Sequence, residues 1–191
     1  ESPETVHQMR VAMRRLRAAL SIFRPFVADA TYPLLLDELR WITGVLGAAR
    51  DLDVRLARAD GAAAAPLTDQ RKAAYRSARA ALASPRGRRL LIDLSAWIED
   101  GAWRLAGGAS AETIGDMAAR SLDALARKVR KQGRWLLLLD GEERHELRKR
   151  IKKLRYAGEF FSSLFVAPRQ AKAARAYLAL LAELQDALGA L

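Results

Sequence analysis

The chain has 191 residues and a formal net charge of +11 at pH 7, with 33 Lys and Arg against 22 Asp and Glu. Because it has no cysteine, disulfides, cysteine-based zinc sites and a thiol nucleophile are excluded. No apolar run approaches the ~20 residues of a membrane-spanning helix, and no signal-peptide pattern opens the sequence, so we expect a soluble, cytoplasmic protein. Its charge indicates a polyanionic partner, namely nucleic acid, an anionic membrane surface or a phosphate polymer.

The first half is predicted to be helical. Hydrophobic residues make up 51% of the chain, many of them Ala and Leu, and this composition favours an all-α fold. The apolar periodicity and the placement of Pro and Gly predict helices at about 3–24, 34–59, 68–83 and 87–103. We expect Ser2 to cap the first helix, Pro25 to end it, and residues 61–66 to form a loop.

The second half is predicted to begin after Gly107-Gly108, which divides the chain into halves at about 1–106 and 109–191. Helices are expected at about 111–132, 142–165 and from Pro168 onwards. Ser110 is the expected cap of the first of them.

One helical phrase occurs in both halves. Residues 7–17 read HQMRVAMRRLR and residues 145–155 read HELRKRIKKLR, so His, Arg, the paired cations, Leu and the final Arg are in register. A second match pairs Leu46-Gly47-Ala48 with Leu188-Gly189-Ala190. This repetition predicts a pseudo-two-fold arrangement in which two related halves contribute facing half-sites.

The repeat is uneven at the two ends of the sequence. A predicted helix precedes the second phrase, whereas only six residues precede His7. The first copy also continues past its Leu-Gly into Arg50-Asp51, and the second copy stops before that point. We therefore expect a single domain that is trimmed at both ends.

Each repeated phrase places its cations on one helix face. At about 100° per residue, four positions fall within an arc of roughly 80° that borders the apolar face. The two sets are His7, Arg10, Arg14 and Arg17, and His145, Arg148, Lys152 and Arg155. Because 7–24 contains no Asp or Glu, its arginines need counterions from other helices or from a bound anion.

Two sources of counterions remain open for any single arginine. Acids on other helices could pair with the basic faces, the candidates being Glu38, Asp51, Asp53 and Asp186. Two unopposed stripes on repeated helices together favour a multivalent anion, because each partly buried charge-assisted contact contributes on the order of 1.5–3 kcal/mol.

The paired histidines raise the question of a metal site. Neither His7 nor His145 has a further ligand at helical spacing on its own face, so we expect no metal ion and no other cofactor. Each histidine is interpreted as a hydrogen-bond donor to phosphate, with a capped or core-facing histidine as the alternative.

Further basic residues form weaker candidates, since a run at a helix end also complements the helix dipole. They are Arg86, Arg88 and Arg89 at one helix start, and Lys128, Arg130, Lys131 and Arg134 around Gly133.

Several motifs together closely resemble the CHAD family, the conserved histidine α-helical domain, over nearly the whole chain. They are VHQMRV at 6–11, RRLR at 14–17, LG at 46–47, RDLDV at 50–54, ERH at 143–145, KKLRYA at 152–157 and EFF at 159–161. The chain departs from the family pattern in lacking a helix before the first histidine and Asn-Asp after the closing Leu-Gly.

The resemblance implies two up-down helical bundles that flank a basic central channel for inorganic polyphosphate, as in proteins associated with polyphosphate granules. Carried over by motif position, the implied binding set is His7, Arg10, Arg14, Arg17, His145, Arg148, Lys152 and Arg155, with Arg50, Arg89 and Arg134 as additions. Some family members carry a CYTH-type triphosphate-processing domain, of which this chain shows no trace.

The preferred interpretation is a non-catalytic polyphosphate-binding module without a membrane partner. A nucleic-acid-binding helical protein is the alternative, supported by charge alone; the aromatic content of 7% counts against base stacking, so only non-specific binding is expected. A metal-dependent polyphosphate-processing enzyme is a third hypothesis, in which Asp51 and Asp53 would hold magnesium.

Overall fold

The computed structural model describes residues 2–61, 64–106 and 112–190, and within these ranges it contains helices and no strand. The helices are α1 (Pro3–Val27), α2 (Tyr32–Leu56), α3 (Ala64–Ala83), α4 (Pro85–Asp100), α5 (Trp103–Ala106), α6 (Ile114–Gly133), α7 (Gly141–Phe160) and α8 (Pro168–Ala190). Short 3-10 turns occur at Leu136–Leu138 and Ser162–Leu164. The all-α prediction is confirmed. None of the described helices has the length and apolar character needed to cross a bilayer.

The helices belong to two compact units, Glu1–Gly108 with α1 to α5 and Ala109–Leu191 with α6 to α8. In the first unit α2 is central, because it packs against α1, α3 and α4. Its core includes Leu39 and Leu46 of α2, Leu20 of α1 and Trp97 of α4. The apolar face of α1 therefore points at α2, and this packing fixes which face of α1 remains for other contacts.

In the second unit α7 is central and packs between α6 and α8. Leu147, Ile151 and Leu154 of α7 are buried with Leu181 and Leu188 of α8. The capping box at the start of α7 fixes where the second repeated phrase begins. Asp140 accepts from the backbone N–H of Glu143 at 2.8 Å, and Glu143 accepts from that of Asp140 at 3.1 Å.

Ser2 caps α1 as predicted, accepting backbone N–H groups of Glu4 and Thr5. The prediction that Pro25 ends this helix is wrong, because α1 continues to Val27. A proline removes one N–H donor and does not by itself stop a final turn. The backbone N–H of Ala28 still bonds the carbonyl of Arg24 at 3.0 Å, so the last turn closes around the missing donor.

The predicted loop at 61–66 is shorter than expected, since α3 already begins at Ala64. Pro66 lies in the first turn of α3, where its missing N–H has no intrahelical acceptor to lose. Residues 62 and 63 lie outside the described ranges. Other helix ends also differ from the prediction. Helices α2 and α4 each begin two residues earlier and end three residues earlier than predicted, and α7 ends at Phe160 before a 3-10 turn.

The start of α6 differs from the prediction. Thr113 caps it in a capping box with Asp116, whose backbone N–H donates to the Thr113 hydroxyl oxygen at 3.1 Å. Hydrogen bonds from the side chain and backbone of Thr113 lower the pKa of Asp116. Sequence reasoning overlooked this cap. The predicted Ser110 cap and the Gly107-Gly108 boundary lie outside the described residues.

Gly87 near the start of α4 is a sterically constrained position. A Cβ placed there would lie 2.4 Å from the backbone oxygen of Ala81 and 2.8 Å from that of Leu82. Because backbone atoms cannot move away cheaply, Gly87→Ala is expected to destabilise the protein by about 1–3 kcal/mol, measured by urea unfolding. Gly44→Ala is the control: nothing lies within 4 Å of its Cβ position in α2, and it should stabilise the helix by up to ~1 kcal/mol. Equal stability of the two variants would contradict the expected clash.

Candidate functional site

The first basic face lies along one side of α1. His7, Arg10, Arg14 and Arg17 are all half-buried, and at 1.5 Å per residue they extend over about 15 Å of helix. Met9, Met13 and Leu16 on the neighbouring face pack against the core. The predicted arrangement is therefore present, with basic side chains that border the core rather than point fully into solvent.

Arg14 and Arg17 lack acidic partners within the part of the chain that the structure describes. The Nε of Arg14 is buried and has no hydrogen-bond acceptor. An unsatisfied buried donor, above all a charged one, is costly. An anion at this face would supply the acceptor that the protein does not.

Arg10 has a different environment, against the backbone of α2. A Cβ built on Gly47 would lie 2.5 Å from Nη1 of Arg10, so the guanidinium occupies the space that a side chain at this position would take. Nη2 of Arg10 is 4.0 Å from the carboxylate of Asp51, which is 72% exposed. This long pair leaves the charge of Arg10 only weakly compensated.

The second basic face lies on α7. His145 is exposed, whereas Arg148, Lys152 and Arg155 are half-buried. Nε of Arg148 donates to the backbone carbonyl of Gln185 in α8 at 3.0 Å. A Cβ on Gly189 would lie 2.9 Å from Nη2 of Arg148. Each unit thus places the first arginine of its basic phrase over the glycine of its Leu-Gly-Ala segment.

The two faces differ in how far they are neutralised. Arg155 bonds Glu159 at 2.6 Å on the same helix, whereas Ser21 occupies the position in α1 that corresponds to Glu159 in the repeat. Nε of Arg155, like Nε of Arg14, is buried without an acceptor among the described residues, so Glu159 compensates the charge of Arg155 but does not satisfy all of its donors. The face of α1 therefore has the less compensated positive charge.

Two of the acids proposed as counterions are committed to other partners within the first unit. Asp53 is buried and accepts from Nε of Arg71 at 2.7 Å and from the hydroxyl of Tyr75 at 2.9 Å. Glu38 forms a two-point pair with Arg86 at 2.7 and 3.0 Å. Asp51 lies near Arg10 of this face, and Asp186 is an exposed residue of the second unit. The expectation was wrong for Asp53 and Glu38, because these sides of α2 pack against α3 and α4.

The remaining basic candidates are dispersed. Arg50 is half-buried on α2, one turn after Gly47. Arg89 is exposed on α4 and pairs with Asp93 at 3.2 Å, and Arg134 is exposed just after α6. Arg88 donates to the carbonyl of Ala83 at 2.7 Å. Arg50 thus lies on α2, the helix that packs against α1, whereas Arg89 lies on α4.

The described ranges contain no group of three or more His, Cys, Asp or Glu side chains arranged to hold a metal ion.

The Leu-Gly-Ala repeat is visible in the sequence, but its contact with the arginines is visible only in the structure. Gly47 lies in the interior of α2, where glycine costs about 0.8–1 kcal/mol relative to alanine. Among the described glycines only Gly61 has a positive φ, so Gly47 and Gly189 adopt backbone conformations open to any residue. The sequence does contain a signal for this contact. A glycine recurs inside a predicted helix of each half, where it lowers helix stability, and each half also carries the repeated arginine.

Comparison with known proteins shows similarity along the whole chain. The sequence model of the CHAD domain matches residues 1–191. Two uncharacterized Mycobacterium tuberculosis proteins, MT2285 and Rv2226, are each 32% identical over 170 residues, which is 80% of this chain and 33% of theirs. The chain thus spans about a third of the length of these relatives.

The structure is also similar to the crystal structure of the CHAD domain from the plant Ricinus communis. The TM-score is 0.82 at 35% sequence identity, and the match covers 98% of this chain and 64% of that chain.

Proposed function

The chain belongs to the CHAD domain family, and we propose that it is a non-catalytic module that binds inorganic polyphosphate through the basic faces of α1 and α7. In this proposal the binding residues are His7, Arg10, Arg14, Arg17, His145, Arg148, Lys152 and Arg155, with Arg50 as an addition. The protein would associate with polyphosphate granules in the cytoplasm. Arg89 is the weaker addition because Asp93 already pairs with it, and the exposed Arg134 adds general positive charge.

The observation that carries the proposal is the unopposed charge of Arg14 and Arg17 on α1. Arg14 and Arg17 have no acidic partner within the described residues, and Nε of Arg14 is buried without an acceptor. A linear phosphate polymer has regularly spaced negative charges, which suit a row of cations about 15 Å long. Such a polymer relieves the repulsion within the row and satisfies its donors together.

The chemistry of each residue type supports the same ligand. Arginine donates through a planar fork that matches phosphate oxygens, and lysine contributes a point charge. A histidine at the start of each face can donate a hydrogen bond to a phosphate oxygen. A basic face recurs in both units, so the proposal gives each unit its own phosphate-binding surface.

A role in catalysis finds less support. Phosphoryl transfer normally uses carboxylates that hold a metal ion beside the phosphates. Asp53, one of two acids considered for that task, is committed to Arg71 and Tyr75 in the interior of its unit. We therefore propose binding without turnover, and the release of phosphate on addition of magnesium to the purified chain would overturn this part.

A direct binding measurement tests the proposal. Fluorescently labelled long-chain polyphosphate is titrated with the protein, and duplex DNA and RNA are then added as competitors at equal phosphate concentration. We expect saturable binding that weakens as salt rises, because the cationic side chains displace counterions from the polyphosphate when they bind. We also expect little displacement of polyphosphate by either nucleic acid. Efficient displacement would favour the general nucleic-acid-binding alternative, and an absence of binding in low salt would contradict the proposal.

A further inference from the structure

The two Leu-Gly-Ala segments, 46–48 and 188–190, have the same relation to the basic faces. We infer that each segment is a seat that holds the first arginine of its face, and that Gly47 and Gly189 are positioning residues for phosphate binding. This inference rests on the proposed polyphosphate-binding function. It assigns a role in the site to a repeated motif that carries no charge.

In the first unit, the guanidinium of Arg10 occupies the place of a missing side chain. The Cβ position of Gly47 is 2.5 Å from Nη1 and 3.7 Å from Cζ of Arg10, and no other atom outside its own helix lies within 4 Å. The side chain of Arg10 is 21% exposed. An alanine at 47 must therefore displace this guanidinium.

The second unit repeats the contact with a hydrogen bond added. Three guanidinium atoms of Arg148 lie within 3.2 Å of the Cβ position of Gly189. Nε of the same arginine donates to the carbonyl of Gln185, one turn earlier on α8. The guanidinium is thus fixed at one edge by the helix backbone, and its Nη groups have no acceptor among the described residues.

Other reasons for a glycine do not apply at these positions. Neither glycine has a positive φ; Gly47 lies in the interior of α2, and Gly189 lies in the last turn of α8. Gly44, three residues before Gly47 on α2, has nothing within 4 Å of its Cβ position. The requirement for space is therefore specific to the position that faces the arginine.

Seating each arginine prepares it for phosphate. Arginine otherwise loses considerable side-chain freedom when it binds, and a guanidinium held in place before binding avoids part of that loss. The seat also fixes how far the guanidinium of Arg10 or Arg148 extends from its own helix, one turn after the histidine that begins the phrase. Displacing the guanidinium should weaken binding while leaving the helices intact, because the nearest atoms to each Cβ position belong to the flexible end of one side chain.

The test uses Gly47→Ala and Gly189→Ala, separately and together, with Gly44→Ala as the matched control. We expect each seat variant to bind long-chain polyphosphate about tenfold more weakly, the loss of roughly one charge-assisted contact. Nitrogen-15 NMR supplies a readout that needs no ligand: the Nε–H signal of Arg148, protected from exchange in the parent, should lose its protection in Gly189→Ala. Gly44→Ala should leave both the affinity and the signal unchanged.

A double-mutant cycle separates positioning from general damage. In an Arg148→Ala background the Gly189→Ala substitution should have no further effect on binding, and the pair Arg10→Ala and Gly47→Ala should behave in the same way. Additive losses, or seat variants that bind like the parent, would overturn the inference. If the parent chain itself fails to bind polyphosphate, the proposed function is wrong, whereas the Arg148 signal still tests whether Gly189 seats the arginine.

Discussion

Replacing Arg14, Arg17, Lys152 and Arg155 together by alanine is expected to weaken the binding of long-chain polyphosphate by about a thousandfold or more. Each partly buried charge-assisted contact contributes on the order of 1.5–3 kcal/mol. Since ~1.4 kcal/mol corresponds to a factor of ten in affinity, four such contacts reach this loss even when they are not fully additive. The measurement is the same titration of labelled polyphosphate at low salt.

The matched control removes the same number of charges elsewhere. Its four substitutions to alanine, two in each unit, are at the exposed residues Arg40, Lys72, Arg120 and Arg169. Three of these side chains form surface ion pairs that contribute little to stability. Both variants lose four positive charges from a net charge of +11. If the control loses as much affinity as the site variant, binding depends on net charge and the two faces have no special role.

Folding of the site variant should be preserved. The buried Nε of Arg14 has no acceptor, and the like charges on α1 repel one another, so their removal should not lower the helical circular-dichroism signal. The two halves of the variant are expected to differ. Arg14→Ala with Arg17→Ala should cost more affinity than Lys152→Ala with Arg155→Ala, because Glu159 already compensates Arg155.

Much of the fold follows from patterns that are local in the sequence. The helices are visible because apolar residues recur at helical spacing, and the repeated phrase places four cations on one face whatever the tertiary structure. Helix ends are harder to predict, since they depend on which of several polar residues captures the free backbone N–H groups. Thr113 does so for α6, and Pro25 fits inside a final turn that closes around it.

The partners of the acids could not be predicted in this way. Asp51 and Asp53 are two residues apart, which rotates them by about 200° around α2 and places them on opposite sides of the helix. Only the packing of α1 and α3 decides that Asp51 faces Arg10 and Asp53 faces Arg71. The arginine seat at Gly47 needs the same information, because it depends on how closely two helices approach.

Asp53→Ala is expected to destabilise the first unit by about 3 kcal/mol. Its carboxylate is buried, with only 4% of the side chain exposed, and it accepts hydrogen bonds from Arg71 and Tyr75 of α3. Burial raises the pKa of Tyr75, and the bond to Asp53 raises it further, so the phenol remains a donor. Removing one partner of a buried charge pair typically costs 3–5 kcal/mol. The lower end of this range applies because 24% of the Arg71 side chain is exposed, so water can partly solvate the guanidinium that is left without Asp53.

Asp51→Ala is the matched control for this prediction, since it removes the same group two residues away. Its carboxylate is 72% exposed and 4.0 Å from Arg10, so the change in the free energy of unfolding should stay below about 1 kcal/mol in urea titrations. The two substitutions should also act oppositely on the site. Asp51→Ala removes a carboxylate near Arg10 and should strengthen polyphosphate binding, whereas Asp53→Ala should affect binding only through loss of folded protein. Equal stability of the two variants would show that the Asp53 cluster does not hold α2 against α3.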